Sequence, residues 1–374
     1  MIQGEHTMAT VIASPSRYIQ ERDSLSHLAN FSKGLGKNLL VLITESGYKR
    51  VGKRIEESAQ EVEGSHISFT FFNRESSKKE IDRVCEEAKK AKADMIVGVG
   101  GGKTLDTAKA AAYYSELPVV ICPTIASSDA PCSALSVIYT EEGVFDSYLF
   151  LPANPNIVIM DTAVIAKAPV RLIISGMGDA LATYFEARAC KASNAQNCVG
   201  GTCSKTALAL ARLCYDTIKE NGYKAMLAAS KGACTKAVED VIEANTYLSG
   251  VGFESGGIAA AHAVHNGLTC IEETHKMYHG EKVAFGTLTQ LVLENVDRDE
   301  LEEVIEFCLE LGLPVTLEEL GIKEIKEEEI MKVATLACAE SDTLHNMPFP
   351  VSPESVYSAI LAADAMGHYY KDEM

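Results

Sequence analysis

The sequence predicts an α/β N-terminal half built on a parallel sheet, followed by an all-α C-terminal half. Three observations carry that expectation. Short β-branched apolar runs alternate with amphipathic helical stretches up to about Pro169, the texture of parallel strands joined by crossover helices. Beyond Pro169 the β-runs disappear and Ala-rich helical stretches take over. The chain has 374 residues, 47% of them hydrophobic, which fits two domains of about 100–200 residues with a core in each. The expected division is 1–168 and 169–374.

Taken in order, buried strands are expected at residues 38–44 (NLLVLIT), 67–72, 95–100 (MIVGVG), 119–123 and 157–160. Each is too short and too β-branched for a helix. Apolar positions at helical spacing predict helices at 48–63, 78–92 and 104–114. The turn-rich Tyr139-Thr-Glu-Glu-Gly143, lying between SALSVIYT and FDSYLFL, predicts a β-hairpin. Downstream, helices are expected at 179–192, 205–219 and 227–246. Residues 297–329 hold 13 acids against three bases, the pattern of a solvated helix face.

Charge and cysteine content narrow the function classes. Lys+Arg 34 against Asp+Glu 52 gives a formal net charge of −18, with no dense basic cluster. That argues against nucleic acid or an anionic membrane as partner and for a small, freely diffusing ligand. The eleven cysteines form no C-x-x-C pair and are expected as reduced thiols in a cytoplasmic protein. No stretch reaches about 18 uninterrupted apolar residues, so no membrane span is expected. The opening MIQGEHTMATVIAS lacks the basic start and apolar run of a signal peptide, and Met8 is an alternative start.

Four glycines, Gly98, Gly100, Gly101 and Gly102, lead from the strand at 95–100 into a helix. They let the backbone approach a ligand and aim free N–H groups from a helix N-terminus, the makings of a phosphate site. The spacing is neither a P-loop, since residue 97 is Val, nor G-x-G-x-x-G, since Lys103 occupies the last glycine position; a plain tight turn is the alternative. Glu45 closes the strand at 38–44, where a carboxylate binds ribose hydroxyls and repels a 2′-phosphate, favouring NAD over NADP. The loop CPTIASSDAPC at 122–132 offers small hydroxylated residues and Asp129 to a cofactor and a polyol.

Four of the nine histidines, His262, His265, His275 and His279, fall within 18 positions. His262 and His265 share a helix face, His279 stands at an expected helix start, and GMGDAL places Asp179 at the start of another. One carboxylate and two imidazoles with an open fourth position suit a catalytic divalent metal, zinc being the commonest.

The motifs GVGGGKTLDTAK, PTIASSDAPCS, GMGDAL, AAHAVHNGL and HGEKVAFG, in this order along essentially the whole chain, resemble the glycerol dehydrogenases of the iron-containing alcohol dehydrogenase superfamily. The resemblance implies a dinucleotide-binding N-terminal domain and a metal-binding C-terminal domain of the dehydroquinate synthase-like fold. It further implies NAD, one zinc per subunit, reversible oxidation of glycerol or a related vicinal diol to dihydroxyacetone, and a homo-oligomer, often an octamer. Asp179, His262 and His279 match the metal ligands. Gly102, Lys103 and Asp106 match the pyrophosphate-binding segment, and Thr124, Ser127, Ser133, Leu135 and Tyr139 match positions lining the cofactor. Glu45 stands where the family usually has Asp. Asp129 matches the acid that contacts the polyol and, with His262, forms the expected catalytic pair, the polyol lying against Asp129, Asp179, His262 and His279. His265 falls near the nicotinamide. Iron-dependent cousins carry a further histidine ligand where this chain has Thr183, so three protein ligands are expected. The diol then chelates the metal, and hydride passes from the alkoxide carbon to NAD⁺. Rival readings are a dehydroquinate-synthase-like lyase, a polyol-phosphate dehydrogenase, and a non-catalytic nucleotide- or metal-binding protein; the two phosphate-handling readings are disfavoured by the shortage of bases in 188–279.

Overall fold

The computed structural model describes residues 8–373, so expectations for the first seven residues lie outside the described chain. Its strands are β1 (Arg17–Glu21), β2 (Asn38–Ile43), β3 (His66–Phe71), β4 (Met95–Gly100), β5 (Val119–Pro123), β6 (Leu135–Tyr139), β7 (Phe145–Phe150) and β8 (Ile157–Asp161). Six of them form one sheet in the order β1-β8-β5-β4-β2-β3, and every pairing in it is parallel. Strands β6 and β7 form the expected antiparallel hairpin.

Strands β4, β5 and β8 are buried along their whole length, as strands covered on both faces must be. Alternate residues serve opposite faces. Leu39, Val41, Ile43, Met95, Val97 and Val99 pack with Leu25, Leu28, Val51 and Ile55 on one side. Leu40, Leu42, Ile96, Ile121 and Val158 meet Ile81, Val84, Leu105 and Ala108 on the other, in a core that continues through Met177, Phe185 and Phe285. Strand β1 was not among the expected strands. Its sequence RYIQE is exposed at both ends and only half-buried between, because an edge strand needs a backbone ladder on one side and no continuous apolar run.

The C-terminal region is helical throughout, which completes the expected fold class. Two helix expectations need correction. Asp179 does not start a helix; it lies in the interior of the Val170–Ser193 helix, which begins just after Pro169. The helix expected at 227–246 is broken: one helix ends at Ala229, Gly232 adopts a left-handed φ of 65°, and the next is Lys236–Glu243. The acidic stretch is only partly helical, as Arg298–Leu311 and from Glu327 onward. All eleven cysteines are free thiols. Among the described residues, no helix is long and apolar enough to cross a membrane.

Candidate active site

From β2 the chain runs outward to β3, whereas from β4 it runs the opposite way to β5. The carboxyl ends of β2 and β4 therefore part at a topological switch point, where open α/β sheets bind ligands. Glu45 is exposed at the end of β2, and Gly101 and Gly102 open the Gly102–Tyr114 helix after β4. A small cavity there is lined by Gly101, Gly102, Ile125, Ser127 and Ser128, among others. The buried Thr124 ties the next loop in, its N–H donating to the Gly100 carbonyl at 2.9 Å. A Cβ on Gly102 would meet nothing within 4 Å, so that side of the glycine is open ground for a cofactor. Gly102→Val should therefore leave the melting temperature undiminished while raising KM for NAD⁺ about tenfold or more, the cost of one lost close backbone contact; unchanged KM would place the cofactor elsewhere.

Other residues of the cofactor set are engaged by protein partners. Lys103 reaches Glu75 at 2.5 Å and lies over the Tyr139 ring at 4.7 Å, so its charge is already paired. The Asp106 carboxylate accepts the Val137 N–H at 3.2 Å and faces Lys109 at 3.4 Å, and burial raises its pKa. Lys109, which the sequence reading missed, is fully buried and donates to the carbonyls of Ala130 and Leu135 at 2.7 and 2.8 Å. The Ser133 hydroxyl donates to the same Ala130 carbonyl at 3.1 Å. Asp106, Ser133 and Leu135 thus brace the loop carrying Asp129. Glu254 braces it from the helical region, accepting the Ala134 N–H at 2.7 Å and the Asn154 amide at 2.5 Å.

Three helices meet beside that loop: Val170–Ser193 with Asp179, Ala260–Leu268 with His262, and His279–Glu294 with His279. They touch backbone to backbone because glycines stand next to the donors. A Cβ on Gly280 would lie 1.7 Å from the Ser175 carbonyl oxygen, and one on Gly286 would lie 2.2 Å from that of Ala261. The result brings His262 Nε2 to 3.4 Å and His279 Nε2 to 3.1 Å from Asp179 Oδ1. His275 is not part of the group; it sits in a 3₁₀ turn, exposed, with its Nε2 against the Thr269 carbonyl.

The donor set fits a cation. Asp179 is fully buried, and its Oδ1 has no hydrogen-bond partner. Glu186, another residue missed from sequence, meets His262 Nδ1 at 2.6 Å, which in the neutral ring places the proton there and turns the Nε2 lone pair toward Asp179. One donor atom from each of Asp179, His262 and His279 lies within 4.8 Å of the others. Lone pairs and a carboxylate converging in a buried site repel unless a positive charge lies among them. Burial alone would raise the Asp179 carboxyl; with no ion between them, His279 and His262 hold it well below the usual range as protonated imidazoles, which then take the place of that positive charge. Thr183 adds no donor to this group, since it shares a hydrogen bond with the Ser249 hydroxyl at 2.8 Å, so the group that could hold a metal numbers three residues.

Asp129 joins this centre to the cofactor loop. Its N–H donates to Asp179 Oδ2 at 3.2 Å, and its carboxylate accepts from the Ser249 hydroxyl at 2.8 Å. Burial, then the Asp179 charge, push its carboxyl well above the ordinary value. Glu186 has a second task, accepting the N–H groups of Ala259 and His262 at 2.8 and 3.0 Å where the His262 helix begins. Glu186→Gln keeps the shape but can donate to His262, so metal affinity should fall about 10–100-fold, as measured by competition with a chelator.

A family model for iron-containing alcohol dehydrogenases matches residues 15–162. The chain is 54% identical over 366 residues to the glycerol dehydrogenase of Escherichia coli, covering 98% of this chain and 100% of that one. The chain belongs to the iron-containing alcohol dehydrogenase family. It is 47% identical over 365 residues to the glycolaldehyde reductase of Halobacterium salinarum, again covering 98% and 100%. The structure of glycerol dehydrogenase from Schizosaccharomyces pombe matches with a TM-score of 0.94 at 39% identity, covering 99% of this chain and 94% of that one. This member of the iron-containing alcohol dehydrogenases is accordingly an oxidoreductase.

Proposed function

We propose that this enzyme catalyses the reversible NAD-linked oxidation of glycerol, or a related vicinal diol, at a single zinc ion held by Asp179, His262 and His279. The observation that carries the reading is the unpartnered, buried Asp179 Oδ1 faced by two imidazole nitrogens, beside a glycine-lined crevice open at Gly102. The relatives named as glycerol dehydrogenases, one of them 54% identical, support glycerol as the substrate. When bound, the metal polarises the alcohol and NAD⁺ accepts hydride. Glycerol loses hydride from its central carbon and a proton from that carbon's hydroxyl, giving dihydroxyacetone, NADH and a released proton.

The chain's own part is positioning. Asp179 carries the charge that retains the metal, and Glu186, on the His262 Nδ1, orients the ring so that Nε2 faces the metal. Asp129, its carboxyl oriented by Ser249, offers the polyol a hydrogen-bonding group next to the metal donors. The Gly101–Gly102 turn takes the pyrophosphate at a helix N-terminus, since Lys103 is paired with Glu75. Glu45 at the end of β2 selects NAD by repelling a 2′-phosphate. The strong negative charge of −18 suits a neutral substrate that needs no basic funnel. We infer a cytoplasmic homo-oligomer on the family resemblance.

The test is initial-rate formation of NADH from NAD⁺ with glycerol, 1,2-propanediol and 1-propanol. The proposal expects the two diols to react and the monohydric alcohol to lag far behind. NADH from 1-propanol alone, or from none of them, would overturn it.

A further inference from the structure

His262 and His279 present the same nitrogen, Nε2, to Asp179 Oδ1, but they are oriented by different means. The His262 ring is only 14% exposed and meets the Glu186 carboxylate directly; the His279 ring is 41% exposed and meets no carboxylate on its far side. Packing alone does not hold a ring that open. Its Nδ1 instead lies 3.1 Å from His265 Nε2. His265 Nδ1 lies 3.1 Å from Asn266 Oδ1, and the Asn266 amide nitrogen lies 3.4 and 3.1 Å from the two carboxylate oxygens of Asp342.

Elementary hydrogen-bond chemistry gives this chain one direction. A carboxylate only accepts, so Asp342 requires the NH₂ side of Asn266. The Asn266 oxygen then faces His265 and requires a proton on its Nδ1. A neutral His265 so protonated has a lone pair on Nε2 and accepts from His279 Nδ1–H. His279 is left with its lone pair on Nε2, pointing at Asp179 Oδ1. His265 is buried, which favours the neutral ring this requires, and Asp342 is itself fixed by accepting the Thr343 N–H at 2.7 Å.

We propose that Asp342, Asn266 and His265 are positioning residues that set the tautomer and ring orientation of His279 for metal binding, the counterpart of what Glu186 does for His262. The inference rests on the metal reading given above. Asp342 lies 63 residues beyond His279 in the chain, so the segment following the Glu327–Ala337 helix reaches back to complete the metal centre. None of the three is among the converging donors Asp179, His262 and His279.

The test is a titration of the metal-stripped protein with Co²⁺, followed by the visible d–d absorption of the bound ion. The variants are Asp342→Ala, Asn266→Leu, the double variant, and Asp342→Asn as the conservative replacement whose side-chain oxygen still accepts from Asn266. Each disruptive single variant is expected to bind Co²⁺ about 10–100-fold more weakly than wild type. Because they act through one chain, the double variant should be no more than about threefold weaker than Asn266→Leu alone. Asp342→Asn should recover most of the affinity, an outcome that loss of general packing would not give. Thermal unfolding of the metal-free proteins reports folding separately, and if Asp342→Ala does not fold, Asn266→Leu and Asp342→Asn decide the matter. Wild-type affinity in Asn266→Leu, or multiplying losses in the double variant, would overturn the inference while leaving the metal centre in place. A wild-type protein that takes up no Co²⁺ would overturn the metal reading and this inference with it.

Discussion

Gly280→Ala is expected to abolish metal retention and to lower kcat with glycerol by about 100-fold or more. The added Cβ would lie 1.7 Å from the Ser175 carbonyl oxygen and 2.8 Å from the Asp179 backbone nitrogen. No side-chain adjustment relieves a clash between two backbones, so the Val170–Ser193 and His279–Glu294 helices must separate by more than an ångström. Asp179 and His279 sit next to the contact on either side, and the separation acts directly on the distance between their donor atoms. A 1 Å misplacement in an active site costs about 10² in rate, and overpacking adds about 1–3 kcal/mol of destabilisation. Elemental analysis after gel filtration and a melting curve measure the two effects separately. A Gly280→Ala protein with full metal content and wild-type kcat would show that the close approach of these helices does not build the site.

Asp179→Asn should be still more damaging to activity. Removing the one charged donor leaves two neutral imidazoles, and the several kcal/mol that metal catalysis supplies correspond to about three orders of magnitude in kcat/KM. The expected result is loss of bound metal together with near-complete loss of NADH formation. A variant that loses stability but keeps activity would mean that Asp179 is a structural residue. His262→Ala checks the same assignment from the imidazole side, and NADH formation at full metal occupancy in that variant would sink it.

The contrast between these two variants also explains what the sequence made readable. GMGDAL and HGEKVAFG are legible because the glycine that permits close approach and the donor that uses it are chain neighbours. The buried strands β4, β5 and β8 are legible because parallel strands covered on both faces must be apolar throughout. Glu186 is not, although it lies seven residues after Asp179 on the same helix face, because a lone glutamate among alanines looks like a solvated residue until the His262 helix packs against it. Asp342 and Asn266, separated by 76 residues, meet only in the folded chain. His275 illustrates the reverse failure: it shares the local histidine density but falls in a 3₁₀ turn that directs it away. Lys103 and Asp106 lie in a recognisable glycine-loop motif, yet Glu75 and the hairpin backbone have engaged them, and neither partner could be paired with them by spacing.

The most direct test of the account is to strip the enzyme with a chelator and add back Zn²⁺ while following NADH formation from glycerol and NAD⁺. The account predicts that the stripped protein is folded and inactive, and that activity returns in proportion to zinc, reaching its plateau at one ion per chain. Full glycerol oxidation by the stripped enzyme would contradict it.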